Sequence, residues 1–155
     1  MGAVEVHTIR QRIAAGLEAT LPSAWRESVM VYTHHPDLGT SGLHKTFSVQ
    51  VVATEYISPR RRVKTQGGVN DGDTGTQVRT TFEVMTAQTL HVDDSVASYD
   101  TAMSIHDEVW QGIGAMVTTD TNGPVPLTSS HRVEGSGTWL LSEYRFHVDH
   151  LSKIQ

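Results

Sequence analysis

Phe47-Ser48-Val49-Gln50-Val51-Val52-Ala53-Thr54-Glu55-Tyr56-Ile57 alternates apolar and polar residues over most of its length. Phe47, Val49, Val51, Ala53 and Ile57 fall on one face of an extended chain, and Ser48, Gln50, Thr54 and Tyr56 fall mainly on the other. A period of two marks a half-buried strand, and about ten residues is long for one in a globular protein. A second run, Gln77 to His91, sets Val78, Phe82, Val84 and Leu90 against Arg79, Thr81 and Glu83. The intervening Ser58 to Thr76 holds Gly67-Gly68, Asn70-Asp71-Gly72 and Gly75, which are turn residues with few apolar anchors. The expectation is an antiparallel hairpin with an oversized tip, residues 59–76 forming a flexible loop. Long loops of this kind are usually functional or disordered.

Upstream, Val6, Ile9, Ile13 and Leu17 recur at three- and four-residue steps and predict a helix over residues 5–20. Gly16 weakens its interior, and Pro22 stops it. Ser28 to Tyr32 reads as a short strand. Downstream, Val96, Tyr99, Met103, His106, Trp110, Ile113 and Val117 predict one helix over residues 95–116, with Asp93, Asp94 and Ser95 as N-cap candidates. Gly114 and then Asp120-Thr121-Asn122-Gly123-Pro124 are expected to end it. Strands follow over Ser129–Glu134 and Thr138–Leu151, turning at Gly135-Ser136-Gly137. This order predicts an α+β fold: an antiparallel sheet with a long hairpin, packed against an N-terminal helix and a central helix. No repeat or internal boundary divides residues 1–155, so a single domain is expected.

The 155 residues are enough to bury a core without staples. With no cysteine, disulfides, Cys-ligated zinc, iron–sulfur clusters and thiol nucleophiles are excluded. At 37% hydrophobic and 19% charged residues, the chain is too apolar and too balanced for disorder. No run approaches the ~20 apolar residues of a membrane span, and no secretory signal pattern opens the chain. A soluble protein without a membrane partner is expected.

Nine histidines raise a metal hypothesis, but the spacing for convergent ligands is missing. His34 and His35 are adjacent, and His147 and His150 project to opposite faces of a strand. Solvated loop and strand histidines are the expected reading, with no metal and no cofactor. His106 lies on the apolar stripe of the central helix and is expected to be packed with a satisfied ring nitrogen. Of its neighbours Asp107 and Glu108, at most one can share a pocket with it, because successive helical residues diverge by about 100°. No G-x-S-x-G elbow or Walker loop is present. No catalytic residue is assigned.

The net charge of −5 is unevenly distributed. Residues 1–92 hold nine basic and eight acidic side chains; residues 93–155 hold three and nine, and no Lys or Arg lies between Arg79 and Arg132. The one basic knot is Arg60, Arg61, Arg62 and Lys64 at the base of the hairpin loop. It suits phosphate or an acidic protein surface, or it is a solvated edge that keeps a long hairpin from pairing. Asp100, Asp107 and Glu108 have no base within the central helix, so their field is uncompensated there. The basic loop of one copy meeting the acidic helix of the next makes a head-to-tail contact, which closes into a ring when the rotation allows. These seven residues are the subunit-interface candidates.

The layout resembles that of the tail terminator proteins of long-tailed bacteriophages. The likeness runs through Ile9-Arg10-Gln11-Arg12-Ile13, Phe47-Ser48-Val49-Gln50-Val51-Val52, Met103-Ser104-Ile105-His106-Asp107-Glu108-Val109-Trp110 and Trp139-Leu140-Leu141-Ser142-Glu143-Tyr144-Arg145-Phe146-His147-Val148. It is one of order and length, carried by no short motif, and it covers nearly the whole chain. It implies a structural virion protein, not an enzyme: a hexameric ring that caps the tail tube, stops its polymerisation and forms the head–tail joining surface. The implied partners are further copies of the chain, the tail tube protein and a head–tail connector or head-closure protein. DNA would pass through the lumen without specific binding. The implied location is the neck of the virion, assembled in the host cytoplasm. Two alternatives stand beside it: another neck protein of the head-closure or tail-completion type, and a small α+β enzyme or ligand-binding domain using His34, His35 and Asp37, or His106, in a cleft.

Overall fold

The computed structural model describes residues 3–28, 45–57, 76–90, 95–115, 120–134 and 139–152. Helix α1 (Val6–Thr20) turns Ile9, Ile13, Ala14 and Leu17 inward, as their spacing requires. It ends where Leu21 N–H donates to the Leu17 carbonyl, just before Pro22. Strand β1 (Arg26–Glu27) lies parallel to the start of β2 (Lys45–Tyr56), with Arg26 opposite Thr46 and Glu27 opposite Phe47. Of the short strand expected at Ser28–Tyr32 only Ser28 is described, just beyond β1, where its N–H donates to the Phe47 carbonyl at 2.7 Å; residues 29–32 lie outside the described residues.

Strands β2 and β3 (Thr76–Thr89) form the expected antiparallel pair, Val49 opposite Val84 and Phe47 opposite Thr86. The loop joining them, including Arg60, Arg61, Arg62 and Lys64, lies outside the described residues. The expected single buried face of β2 extends only to Val49. The register slips between Val51 and Ala53, and from Val51 to Tyr56 every residue is exposed, whichever face it points from. The main core takes Phe47 and Val49 from this strand and nothing beyond them. A bulge bends and twists the strand that carries it, which turns the distal half away from the core.

The expected central helix is two helices, α2 (Ser95–Met103) and α3 (His106–Gly114). Ser104 and Thr101 cause the break. Ser104 Oγ donates to the Thr101 carbonyl at 2.6 Å and Thr101 Oγ1 donates to the Ala97 carbonyl at 2.9 Å, so side chains occupy acceptors of the last turn. Val109 N–H donates to the Ile105 carbonyl and begins the next helix. Val96, placed on the buried stripe by its spacing, is 73% exposed.

Strand β4 (Thr121–Glu134) starts eight residues before the expected Ser129, and β5 (Trp139–Ser152) matches its expected span closely. Asn122-Gly123-Pro124 reads as a turn because glycine and proline break central strands. The sheet order is β1-β2-β3-β5-β4, so β4 is an edge, where prolines are tolerated. Its ladder slips between Asn122 and Val125 and again between Pro126 and Thr128. Gly123 has φ +103°, a left-handed conformation that glycine alone adopts without strain.

All ladders except β1–β2 are antiparallel, and the fold is α+β as expected. Helices α1 and α3 cover the sheet face that carries Phe82, Val84, Tyr144, Phe146 and Val148. Phe82 and Phe146, paired across β3 and β5, stack with ring centroids 5.8 Å apart. The opposite face carries its own small cluster of Met85, Ala87 and Leu141, with Trp139 packed against it. Strand β3 is thus apolar on both sides along its second half, as a central strand must be.

Candidate functional site

Two strand edges at opposite ends of the sheet present apolar side chains to solvent. At the β2 end, Val51, Val52, Tyr56 and Ile57 are 42–51% exposed. At the β4 end, Val125, Leu127 and Val133 are 46–47% exposed. Among the described residues, β1 pairs only with Thr46 and Phe47 of β2, leaving the distal half of that strand held by β3 alone. Strand β4 has β5 as its one neighbour, and it is exposed from Val125 through Ser130. Monomeric proteins blunt such edges with Lys, Pro or short strands. Pro124 and Pro126 do so at the start of β4; the distal half of β2 carries neither Pro nor Lys.

Charged groups brace the ends of this sheet. Arg79 donates two hydrogen bonds to Asp149, at 2.8 and 3.0 Å, from directly across the β3–β5 ladder. The guanidinium holds the Asp149 carboxyl below the usual carboxylate range. Arg145 donates to its cross-strand partner Glu83 at 2.8 Å, and Arg132 on β4 stands 3.7 Å from Glu143. On the helical side Arg12 grips Asp120 with two bonds, at 2.7 and 3.0 Å, and ties α1 to the start of β4. Arg10 reaches Glu27 and the Val49 carbonyl and ties α1 to β1 and β2.

A ring cluster lies between α3, β4 and β5. His106 and His131 have centroids 5.2 Å apart, and they stand 5.5 and 5.7 Å from that of Tyr144. Trp110 closes the cluster edge-on against Tyr144 and Phe146. His131 Nδ1 and Ser142 Oγ are 2.7 Å apart, and Tyr144 is hydrogen-bonded by Ser142 and Thr86. Burial pushes the Tyr144 hydroxyl above its ordinary value. Burial, and then the charge of His106, push His131 below its own. His106 is packed among these rings, and its Nδ1 is buried with no hydrogen-bond partner among the described residues.

The histidines are not simply solvated, as the sequence reading expected. His150 is buried, its Nε2 2.8 Å from Thr80 Oγ1 and its Nδ1 3.2 Å from the Leu151 carbonyl. Burial is also what lowers its proton affinity. Among the described residues no three His, Cys, Asp or Glu side chains converge as metal ligands. The Ser142–His131 contact has the length of a nucleophile–base pair, but Ser142 is buried and among the described residues no carboxylate bonds to the ring.

Of the interface candidates, Asp100 is exposed on α2, Asp107 is exposed and Glu108 half-buried on α3. They sit on two helices rather than one, and among the described residues none of the three forms an ion pair. Arg60, Arg61, Arg62 and Lys64, and likewise His34, His35 and Asp37, lie outside the described residues. The sequence reading missed the β4 edge and the His131–Ser142–Tyr144 chain. A strand beginning at Thr121 would have placed Val125 and Leu127 on the edge, and pairing across β4–β5 would have brought His131 to Ser142.

No protein-family model matches this chain, and no curated protein matches it.

Proposed function

We propose that the chain is a structural subunit of a bacteriophage tail, a terminator-like protein that assembles head-to-tail into a hexameric ring on the end of the tail tube. The ring stops tube growth and offers its other face to the head connector. One observation carries the reading: the two exposed apolar edges lie at opposite ends of one sheet. A cyclic assembly needs two different surfaces per copy, each buried by the next copy. An exposed strand half such as Val51–Tyr56 costs stability in a lone molecule and is repaid by a neighbour's apolar surface. The acidic exposed residues Asp100 and Asp107 give the helical side a charge that the basic loop residues Arg60–Arg62 complement.

Tube growth followed by light scattering tests the reading. Adding the purified chain to polymerising tube protein of the same phage halts the rise and fixes the tube length. Growth that continues unchanged at equimolar chain overturns it.

A further inference from the structure

We propose that His106 and His131 form an acid-sensitive latch, holding the first turn of α3 on the β4–β5 ladder when neutral and releasing it when both rings carry protons. The inference stands on the ring cluster alone and does not depend on the tail reading.

The geometry makes the neutral state compact and the doubly protonated state untenable. The two imidazoles touch at 5.2 Å between centroids and share Tyr144 as a common neighbour. Two imidazolium charges at that spacing repel strongly in a partly buried site. His131 has one outlet, since its Nδ1–H donates to Ser142 Oγ when the ring is charged. His106 Nδ1 has none.

Among the described side chains no carboxylate is placed to neutralise the pair. On α3, Asp107 and Glu108 diverge from His106 by one and two helical steps. On β4 and β5, Arg132, Glu143 and Arg145 belong to the other sheet face, where Arg132 stands by Glu143 and Arg145 is bonded to Glu83 of β3. On the helical face, β5 contributes Ser142 and Tyr144, and β3 contributes Thr86. On α2, Asp100 is exposed and Tyr99 packs with Leu90, Ala102 and Leu140.

The break at Ser104–Ile105 supplies the hinge. Because α2 ends before His106, the segment His106–Glu108 at the start of α3 can lift while Gly112 and the side chains of Val109 and Ile113 stay buried and α2 keeps its own packing. Lifting it uncovers Trp110 and Tyr144.

Amide hydrogen exchange of the full chain tests the latch at about pH 7.5 and about pH 5.5, with intrinsic rates corrected. Protection of the Val109 and Trp110 amides, the first of α3 with helical acceptors, is expected to fall about tenfold in the wild-type chain at the lower pH, while β3 and β5 stay protected. In His106→Gln and His131→Gln the loss shrinks to about threefold or less. Proton NMR of His131 adds an independent readout: its titration moves to higher pH in His106→Gln. Equal protection at both pH values in the wild type, a loss undiminished in both variants, or an unmoved His131 titration overturns the proposal. Should a Gln variant fail to fold, the wild type decides. Loss that tracks the second of the two ring protonations supports the latch, and loss at any other pH overturns it.

Discussion

Gly16 and Gly112 meet where α1 crosses α3, each lacking the Cβ that the other's backbone excludes. A Cβ built on Gly16 runs into the Gly112 carbonyl oxygen, and one on Gly112 comes within 2.9 Å of Leu17 Cδ2. In an isolated helix a glycine at position 16 only weakens the interior; here it sets how closely two helices approach.

Gly16→Ala is therefore expected to destabilise the protein, although alanine is the better helix former by about 1 kcal/mol. The clash involves backbone that cannot swing aside, and overpacking costs about 1–3 kcal/mol. Gly114→Ala is the control. Nothing lies within 4 Å of its Cβ, so the gain in helix propensity, about 0.5–1 kcal/mol, is expected to appear as added stability. Urea denaturation of the two variants should move in opposite directions from wild type.

Acid should weaken the fold in two separable steps. His150 and His131 are held below their ordinary values by burial, so the folded chain favours their neutral forms. The unfolded chain then takes up protons first, and stability that is complete above about pH 6.5 declines below it. Asp149 works at lower pH with the same outcome. Its carboxyl is depressed by the hydrogen bonds from Arg79, so its contribution is present above the unfolded value of about 3.9 and is lost as pH falls from there through the lower folded value. Urea midpoints are expected to fall from about pH 7 to 5, less steeply in His150→Gln, and again below about pH 4, less steeply in Asp149→Asn. A wild-type midpoint that rises on acidification would contradict both assignments.

Placing lysine at Val51 and Tyr56, or at Val125 and Leu127, is expected to leave stability within about 0.5 kcal/mol of wild type, because these side chains are exposed in the single chain. Assembly on tube ends should be lost in either pair. Loss of stability instead of assembly would show that the edges serve the monomer.

Changing Arg60, Arg61 and Arg62 to Glu is expected to block ring formation, and reversing Asp107 and Glu108 as well should partly restore it. Sedimentation of the mixtures with tube reads both. Unchanged assembly in the first variant would leave the arginines as solubility residues.

Periodicity alone was enough to read α1, the β2–β3 pair and β5, because each is long and buries a regular face. Three features escaped it for physical reasons. The α2–α3 break is made by Thr101 and Ser104 side chains bonding the backbone, while the apolar stripe across it stays nearly continuous. The first half of β4 carries Gly123, Pro124 and Pro126, which look like a turn until the strand is known to be an edge. The exposure of β2 beyond Val49 follows from what does not lie over it, and no local pattern encodes that. The charges of the interface candidates are legible in the sequence, but the exposed apolar edges are not.

Electron microscopy of tubes assembled with and without the purified chain decides between a ring-forming subunit and a bystander. Six-fold rings are expected, seated on one end of tubes of uniform length and formed by a chain that is monomeric or weakly associated alone. Bare tube ends and a chain that stays monomeric in the mixture would contradict the ring-forming role.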